Sequence, residues 1–266
     1  MIKVAIAGIA GRMGRSIASL LSGEEDIKIV GATERQGHTV VGKDIGVVLG
    51  SGELNVFVSD RIEEAASSAD VIVDFTTPAS TLTNARYASR SGKAMVIGTT
   101  GFSDEEIKEI EELAKNFACV ISPNMSVGVN VMFDIVGRVA RLLGEDFDVE
   151  IVEIHHRHKV DSPSGTALKL GQVLAEALGR EFRDVVRLQR SGNIGRRGKE
   201  EIGIQSIRGG DVIGEHTVLF LGSGERIEIT HKASSRENFS RGAIRALRWV
   251  VGKPPGIYSM KDVLGL

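Results

Sequence analysis

One short run of the chain gathers side chains that transfer protons and attract anions. Three of the six histidines, His155, His156 and His158, lie within four positions, and Lys159 follows directly. Imidazole exchanges protons near neutral pH, and a lysine ammonium both donates a proton and attracts a carboxylate. Neither a cysteine cluster nor an HExxH helix accompanies these histidines, so no metal site is expected. The run predicts an anion site with a proton donor; the alternative is a solvated basic loop.

The directions of these side chains depend on the backbone conformation. If the run stays extended, His155, Arg157 and Lys159 point to one side of it, and His156 and His158 point to the other. A loop after His156 would change that arrangement. The shared side motivates the hypothesis that Lys159 donates the proton while His155 orients and stabilises the substrate.

A helix start follows the run. Ser164, Gly165 and Thr166 open the helical pattern, so backbone N–H groups and the positive end of the helix dipole face whatever precedes them. A substrate carboxylate would be stabilised there. Coupled to a nucleotide cofactor, such a site suits the reduction of an anionic C=C or C=N bond.

A glycine-rich turn near the start of the chain predicts the nucleotide site. It has the spacing GxxGxxG, follows an apolar strand and opens a helix. Glycines allow the backbone to approach a pyrophosphate, whose charge is stabilised at the helix N-terminus. The expected cofactor contacts in this turn are Gly8, Ile9, Ala10, Gly11, Arg12 and Met13.

An acidic and a basic residue follow the second predicted strand. Glu34 lies about 20 residues beyond the last glycine of the turn, where an acid reaches the ribose hydroxyls of a dinucleotide. Arg35 comes next and suits a 2′-phosphate. The pair predicts a pocket that accepts both NADH and NADPH, and the sequence leaves the preference open.

Two further loops are expected on the nicotinamide side of the cofactor. Each follows a predicted strand of the same sheet, and loops after the carboxyl ends of parallel strands line the ligand crevice. The expected contacts are Gly98, Thr99 and Thr100 in one loop and Ser122, Pro123, Asn124 and Met125 in the other.

The elements that carry these loops indicate an α/β fold with two domains. Short apolar strands alternate with helical patterns in the first half, which predicts a Rossmann-type doubly wound parallel sheet. The weakest of its strands is expected at residues 55–58. After residue 126 come a long apolar helix and mostly consecutive strands, one of them at residues 185–190, typical of a mixed or antiparallel sheet. We expect a dinucleotide-binding domain at residues 1–126, joined by a C-terminal helix and tail at 236–266, and a substrate-binding and oligomerisation domain at 127–235.

The composition of the chain limits the kinds of partner and compartment that we expect. The net charge of −2 gives no reason to expect nucleic acid, and no apolar stretch approaches the roughly 20 residues needed to cross a bilayer. The basic residues between 183 and 199 are expected to form a mobile loop on the substrate or oligomer side. The single cysteine, Cys119, lies in an apolar run, so we expect a buried thiol and a cytoplasmic protein.

Taken with these motifs, the chain resembles the 4-hydroxy-tetrahydrodipicolinate (dihydrodipicolinate) reductase family nearly from end to end. The run at residues 153–167 is the most specific part of the resemblance. The resemblance implies a homotetramer formed through the second domain, a small dicarboxylate substrate, and NADH or NADPH as cofactor. It also implies that His155 is the acid/base residue and Lys159 the proton donor, and that His156, Gly165 and Thr166 bind substrate.

Two alternatives remain open at the level of sequence. One is an NAD(P)-dependent amino-acid dehydrogenase of similar architecture, although the run of histidines argues against it. The other is a non-enzymatic dinucleotide sensor, which would need no proton donor. Which of His155 and Lys159 delivers the proton is also left open.

Overall fold

The computed structural model describes residues 1–266 and divides into two compact units. One unit comprises Met1–Val127 and Glu237–Leu266, and the other comprises Gly128–Arg236. The strands are β1 (Ile2–Ala7), β2 (Ile27–Thr33), β3 (Val58–Ser59), β4 (Val71–Asp74), β5 (Ala94–Ile97), β6 (Ala118–Ile121), β7 (Asp148–His155), β8 (Val186–Arg187), β9 (Ile202–Arg208), β10 (Gly214–Leu221), β11 (Arg226–Ala233) and β12 (Gly256–Tyr258). The helices are α1 (Arg12–Leu21), α2 (Ile45–Leu49), α3 (Ile62–Ala65), α4 (Pro78–Ser91), α5 (Asp104–Leu113), α6 (Val127–Leu143), α7 (Gly165–Ala177), α8 (Phe182–Val185), α9 (Glu237–Val250) and α10 (Met260–Leu264).

The first unit is built on a seven-stranded sheet in the order β12-β6-β5-β4-β1-β2-β3, with every neighbouring pair parallel. Alternate side chains of β4 enter two different apolar clusters. Val71 and Val73 pack in one, while Ile72 packs in the other. A strand buried on both faces needs helices on both sides, which is the doubly wound arrangement. The predicted Rossmann-type sheet is confirmed.

The third strand differs from the prediction. A strand was expected at residues 55–58, but β3 contains only Val58 and Ser59. The carboxylate of Asp44 accepts hydrogen bonds from the backbone N–H groups of Leu54 and Val56 at 2.9 and 3.0 Å, and Asn55 adopts a φ of 56°. These N–H groups bind a side chain instead of a neighbouring strand, because a buried carboxylate requires donors.

The second unit contains a mixed five-stranded sheet in the order β11-β10-β7-β9-β8. β10 is antiparallel to β7 and β11, whereas β9 is parallel to β7 and β8. One face of β7 and β10 is buried with α6 and α7 in a single apolar cluster. The second sheet is therefore mixed, as the consecutive strands indicated.

The strand expected at residues 185–190 is mostly not a strand. Helix α8 occupies Phe182–Val185, and β8 extends only over Val186–Arg187. Farther along, Arg190 and Arg197 form ion pairs with Glu150 at 2.7 and 3.1 Å. These two arginines neutralise acids of their own sheet, which accounts for part of the basic character of this segment. No helix in the protein is both long and apolar enough to span a membrane.

Candidate active site

The glycine turn leaves the start of α1 open to an anion. Gly11 is the N-cap residue, no side chain caps the helix, and its first turn contains no acidic residue. The N–H groups at the start of a helix carry partial positive charge, so a phosphate is stabilised at this position. Arg12 is exposed beside it, whereas Ile9 is buried, so only the backbone of Ile9 could face a cofactor.

The glycines of this turn are required by close backbone approaches. Gly8 has a φ of 73°, a conformation that L-residues rarely adopt. A Cβ atom on Gly14 would lie 2.2 Å from the carbonyl oxygen of Gly8, and one on Gly8 would lie 2.8 Å from the Thr76 side chain. The turn therefore has space for a ligand on its outer side but none for side chains at Gly8 and Gly14.

Glu34 is placed against the glycine turn. Its carboxylate accepts the backbone N–H groups of Ala10 and Arg35, each at 3.0 Å. Gly8, Gly11, Glu34 and Arg35 line one cavity of about 530 Å³. The structure brings together the glycine turn and the two residues that were predicted to bind the adenosine half of a dinucleotide.

The predicted nicotinamide-side residues do not line that cavity. Thr99 is buried, and its hydroxyl accepts the backbone N–H of Thr76 at 2.9 Å. Met125 is also buried, whereas Thr100 and Pro123 are exposed. Gly98 lies so close to the Phe75 ring that a Cβ atom would overlap it.

The loop that begins at Ser122 is held by hydrogen bonds among its own polar groups. Ser122 donates its hydroxyl to the carbonyl of Asn124 at 2.8 Å, and the Asn124 side chain accepts the backbone N–H of Ser126 at 2.9 Å. These bonds fix the loop shape locally. Of the side chains predicted in the two loops, those of Thr99, Ser122 and Met125 are buried.

The sequence analysis did not predict a role for a buried acid at the end of β4. Asp74 ends β4 and is fully buried. It accepts hydrogen bonds from Thr76 at 2.6 Å, Thr81 at 3.1 Å and Asn84 at 2.7 Å. Thr76 also donates its backbone N–H to Thr99, and its side chain occupies the space that a Cβ atom on Gly8 would need. Asp74 therefore lies between the glycine turn and a second loop. The only sequence signal was an acid directly after three buried apolar residues.

In the second unit, His155 is the last residue of β7 and is buried. Its Nδ1 lies 2.5 Å from Oε2 of Glu153, a fully buried carboxylate. Arg208 donates two hydrogen bonds to Glu153, at 2.7 and 2.8 Å. Burial acts to raise the pKa of Glu153, but the hydrogen bonds from His155 and Arg208 outweigh it and hold the pKa far below its usual range. Glu153 is therefore ionised.

The chain turns sharply after His155. The N–H of Lys159 donates to the carbonyl of His156 at 3.1 Å, and β7 extends no farther than His155. The run therefore does not stay extended through Lys159, and the alternative of a loop after His156 applies, because the backbone closes a turn instead of pairing with a strand. Lys159 forms an ion pair with Asp161, with its Nζ 2.9 Å from both carboxylate oxygens. The rings of His156 and His158 lie near each other, with centroids 6.3 Å apart.

The helix start after this turn is tied to the same carboxylate. Ser164 is the N-cap residue of α7; its N–H donates to Glu153 at 3.2 Å, and its hydroxyl accepts the N–H of Ala167 at 3.2 Å. Gly165 is exposed and Thr166 is half-buried at the first positions of the helix. Glu153 thus fixes both His155 and the start of α7.

A second buried histidine completes the cluster. His216 lies opposite Glu153 in the pairing of β7 with β10, and its ring meets that of His155 edge to face with centroids 5.2 Å apart. Its Nε2 lies 3.0 Å from the Ser164 hydroxyl. Burial, and then the neighbouring His155, lowers the pKa of His216 to about 4. At neutral pH His216 is therefore uncharged, and its ring packs against His155.

The fold and these clusters define a class of protein: a nucleotide-binding α/β enzyme whose second unit contains a buried cluster of histidine and glutamate side chains. Models of the dihydrodipicolinate reductase N-terminus and C-terminus match residues 2–125 and 128–264. Relatives named 4-hydroxy-tetrahydrodipicolinate reductase, from Syntrophobacter fumaroxidans and Geotalea daltonii, are 56% and 54% identical over all 266 residues, the whole of both chains in each comparison.

A solved structure agrees with this assignment. Dipicolinate-bound dihydrodipicolinate reductase from Paenisporosarcina sp. TG-14 superposes with a TM-score of 0.77 at 26% identity, covering 98% of each chain. The chain belongs to the dihydrodipicolinate reductase family. The family resemblance expected from the sequence is confirmed.

Proposed function

We propose that this chain catalyses the NAD(P)H-dependent reduction of 4-hydroxy-tetrahydrodipicolinate to tetrahydrodipicolinate, with NAD(P)+ and water as the other products, in lysine and diaminopimelate biosynthesis. Family membership along the whole chain supports this reaction. The structural observation that carries it is the buried Glu153–His155 pair, next to a helix start that suits a carboxylate. A non-enzymatic sensor would not need a histidine held in this way.

The cofactor site fits a dinucleotide because its glycines leave a cradle that a Cβ atom would fill. The N-terminus of α1 would hold the pyrophosphate, Glu34 the ribose hydroxyls, and Arg35 a 2′-phosphate. The loops with Gly98 and Asn124 would hold the nicotinamide half. NADH or NADPH, when bound, supplies the hydride.

The dicarboxylate would be held in the second unit. Gly165 and Thr166 lie at the start of α7, where a carboxylate is stabilised by backbone N–H groups, and His156 adds a further polar ring. The family resemblance supports Lys159 as the proton donor, and His155, held by Glu153, orients and stabilises the substrate. Asp161 keeps the ammonium of Lys159 in place before substrate binds.

The test is NADH or NADPH oxidation followed by absorbance, with the substrate generated in place from pyruvate and aspartate semialdehyde. Oxidation should require both precursors and should be abolished in a His155→Ala, Lys159→Ala double variant. Dinucleotide binding without turnover would refute the proposed reaction. Equal losses of turnover in the two single variants, with a pH profile governed by the histidine alone, would reverse the roles of Lys159 and His155.

We further propose that the enzyme is a cytoplasmic homotetramer assembled through the second unit. The outer face of its sheet carries apolar side chains that are only partly covered, among them Val152, Ile154, Ile207 and Leu219. Partly exposed apolar residues grouped on a sheet support contact with another copy of the chain. Light scattering during gel filtration should give the mass of four chains, and an Ile207→Glu variant should dissociate. A monomeric wild-type protein would contradict this assembly.

A further inference from the structure

The geometry around His155 points to a division of labour between its two ring nitrogens. We infer that Glu153 and Gly214 are positioning residues: Glu153 fixes the proton of His155 on Nδ1, and Gly214 leaves space for Nε2, the nitrogen that remains free to contact the substrate. This inference rests on the proposed function of His155.

The first part follows from the charge of Glu153. An ionised carboxylate only accepts hydrogen bonds, so the Nδ1 atom 2.5 Å away must be the donor. Arg208 and the N–H of Ser164 are also donors to this carboxylate, so every neighbour in the cluster is consistent with an anion. Nδ1 therefore carries the hydrogen of the neutral ring, and Nε2 keeps its lone pair free.

The second part follows from the residue beside Nε2. A Cβ atom on Gly214 would lie 2.9 Å from Nε2 of His155 and 3.3 Å from its Cδ2. The ring is already limited by Glu153 at Nδ1 and by the edge-to-face contact with His216. A methyl group at position 214 would displace the ring or cover Nε2.

The kinetic test uses Gly214→Ala with Gly209→Ala as the matched control. Gly209 lies in the adjacent loop, and a Cβ atom there meets nothing within 4 Å. Gly214→Ala should lower kcat by about ten- to a hundredfold, the range expected for a misplacement approaching 1 Å, and leave the KM for NADH unchanged. Gly209→Ala should retain wild-type kinetics. An unchanged kcat in Gly214→Ala would overturn the role of this glycine.

A double-variant cycle separates positioning from general damage to the fold. In a His155→Ala background the new methyl group faces empty space, so Gly214→Ala should have no further effect on kcat. The same fold-loss in both backgrounds would show that Gly214 does not act through His155. If the wild-type protein had no reductase activity, the proposed function would fail and this cycle could not be measured.

The tautomer of His155 can also be measured directly, without turnover. NMR of the protein with isotope-labelled histidine distinguishes the two neutral tautomers of His155, assigned by its loss in His155→Ala. The neutral ring should carry its hydrogen on Nδ1 in the wild-type protein and lose that preference in Glu153→Gln. A wild-type ring with its hydrogen on Nε2 would overturn the inference, and this result needs neither turnover nor a stable Glu153 variant.

Discussion

The buried His216 predicts a specific loss of stability in mild acid. Its Nε2 is hydrogen-bonded to Ser164, while its Nδ1 is buried without a hydrogen-bond partner. Burial first, and then repulsion by His155, lowers the pKa of His216 from 6.5 to about 4; the charge of Glu153 acts in the opposite direction. Between these two pH values the unfolded chain binds a proton that the folded chain does not, so the free energy of unfolding falls as pH decreases.

The size of the effect follows from the gap between the folded and unfolded pKa values. One pKa unit corresponds to about 1.4 kcal/mol, so the full gap is worth about 3 kcal/mol below pH 4. Lowering the pH from about 7.5 to about 5 titrates only part of that range and should remove about 2 kcal/mol. His216→Gln keeps a hydrogen-bonding partner for Ser164 but cannot titrate.

Hydrogen exchange read by mass spectrometry gives the free energy of opening for β10 at each pH, after correction for intrinsic exchange rates. Over this pH interval, the free energy of opening of β10 should fall by about 2 kcal/mol more in the wild type than in His216→Gln. The strands β4 and β5 provide an internal control, because the only histidine of the first unit is His38, which lies outside them. Equal losses in the wild type and His216→Gln would refute the assignment of this titration to His216.

Three further predictions concern the first unit. Gly14→Ala should raise the Kd for NADH at least about tenfold by calorimetry, because its Cβ atom would meet the Gly8 carbonyl, whereas Gly23→Ala, with only an ordinary contact, should bind as the wild type does. Arg35→Ala should raise the Kd for NADPH severalfold more than that for NADH; equal changes would exclude a role for Arg35 at the 2′-phosphate. Cys119 should resist thiol reagents in the folded protein and react on unfolding, because burial, followed by the charge of Asp74, raises its pKa to about 12; rapid modification of the native thiol would contradict this.

The first unit follows closely from its sequence because its signals are local. An apolar run such as Val71–Asp74, followed by a turn and a helix, specifies a buried parallel strand without reference to distant residues. β3 could not be placed in this way, since the Asp44 carboxylate that captures the N–H groups of Leu54 and Val56 is at least ten residues away.

In the candidate chemical site, too, residues with local signals could be predicted and residues placed by long-range pairing could not. His155 and Lys159 were predicted from their types and spacing, but Arg208 and His216 were not, because they reach Glu153 only through the pairing of β7 with β9 and β10. Register between strands more than 40 residues apart leaves no trace in the periodicity of one strand. One local signal was present: Glu153 follows Val149 and Ile151 at alternate positions on the buried face of β7, and a buried acid requires partners.

The proposed function requires hydride transfer from the nicotinamide ring to a dicarboxylate on this chain. A single turnover with NADH carrying deuterium at the transferable ring position tests it, with mass spectrometry of the product. The expected product is tetrahydrodipicolinate that contains one deuterium, and the His155→Ala, Lys159→Ala variant should form no labelled product. Product without deuterium, or labelled product formed equally well by that variant, would contradict it.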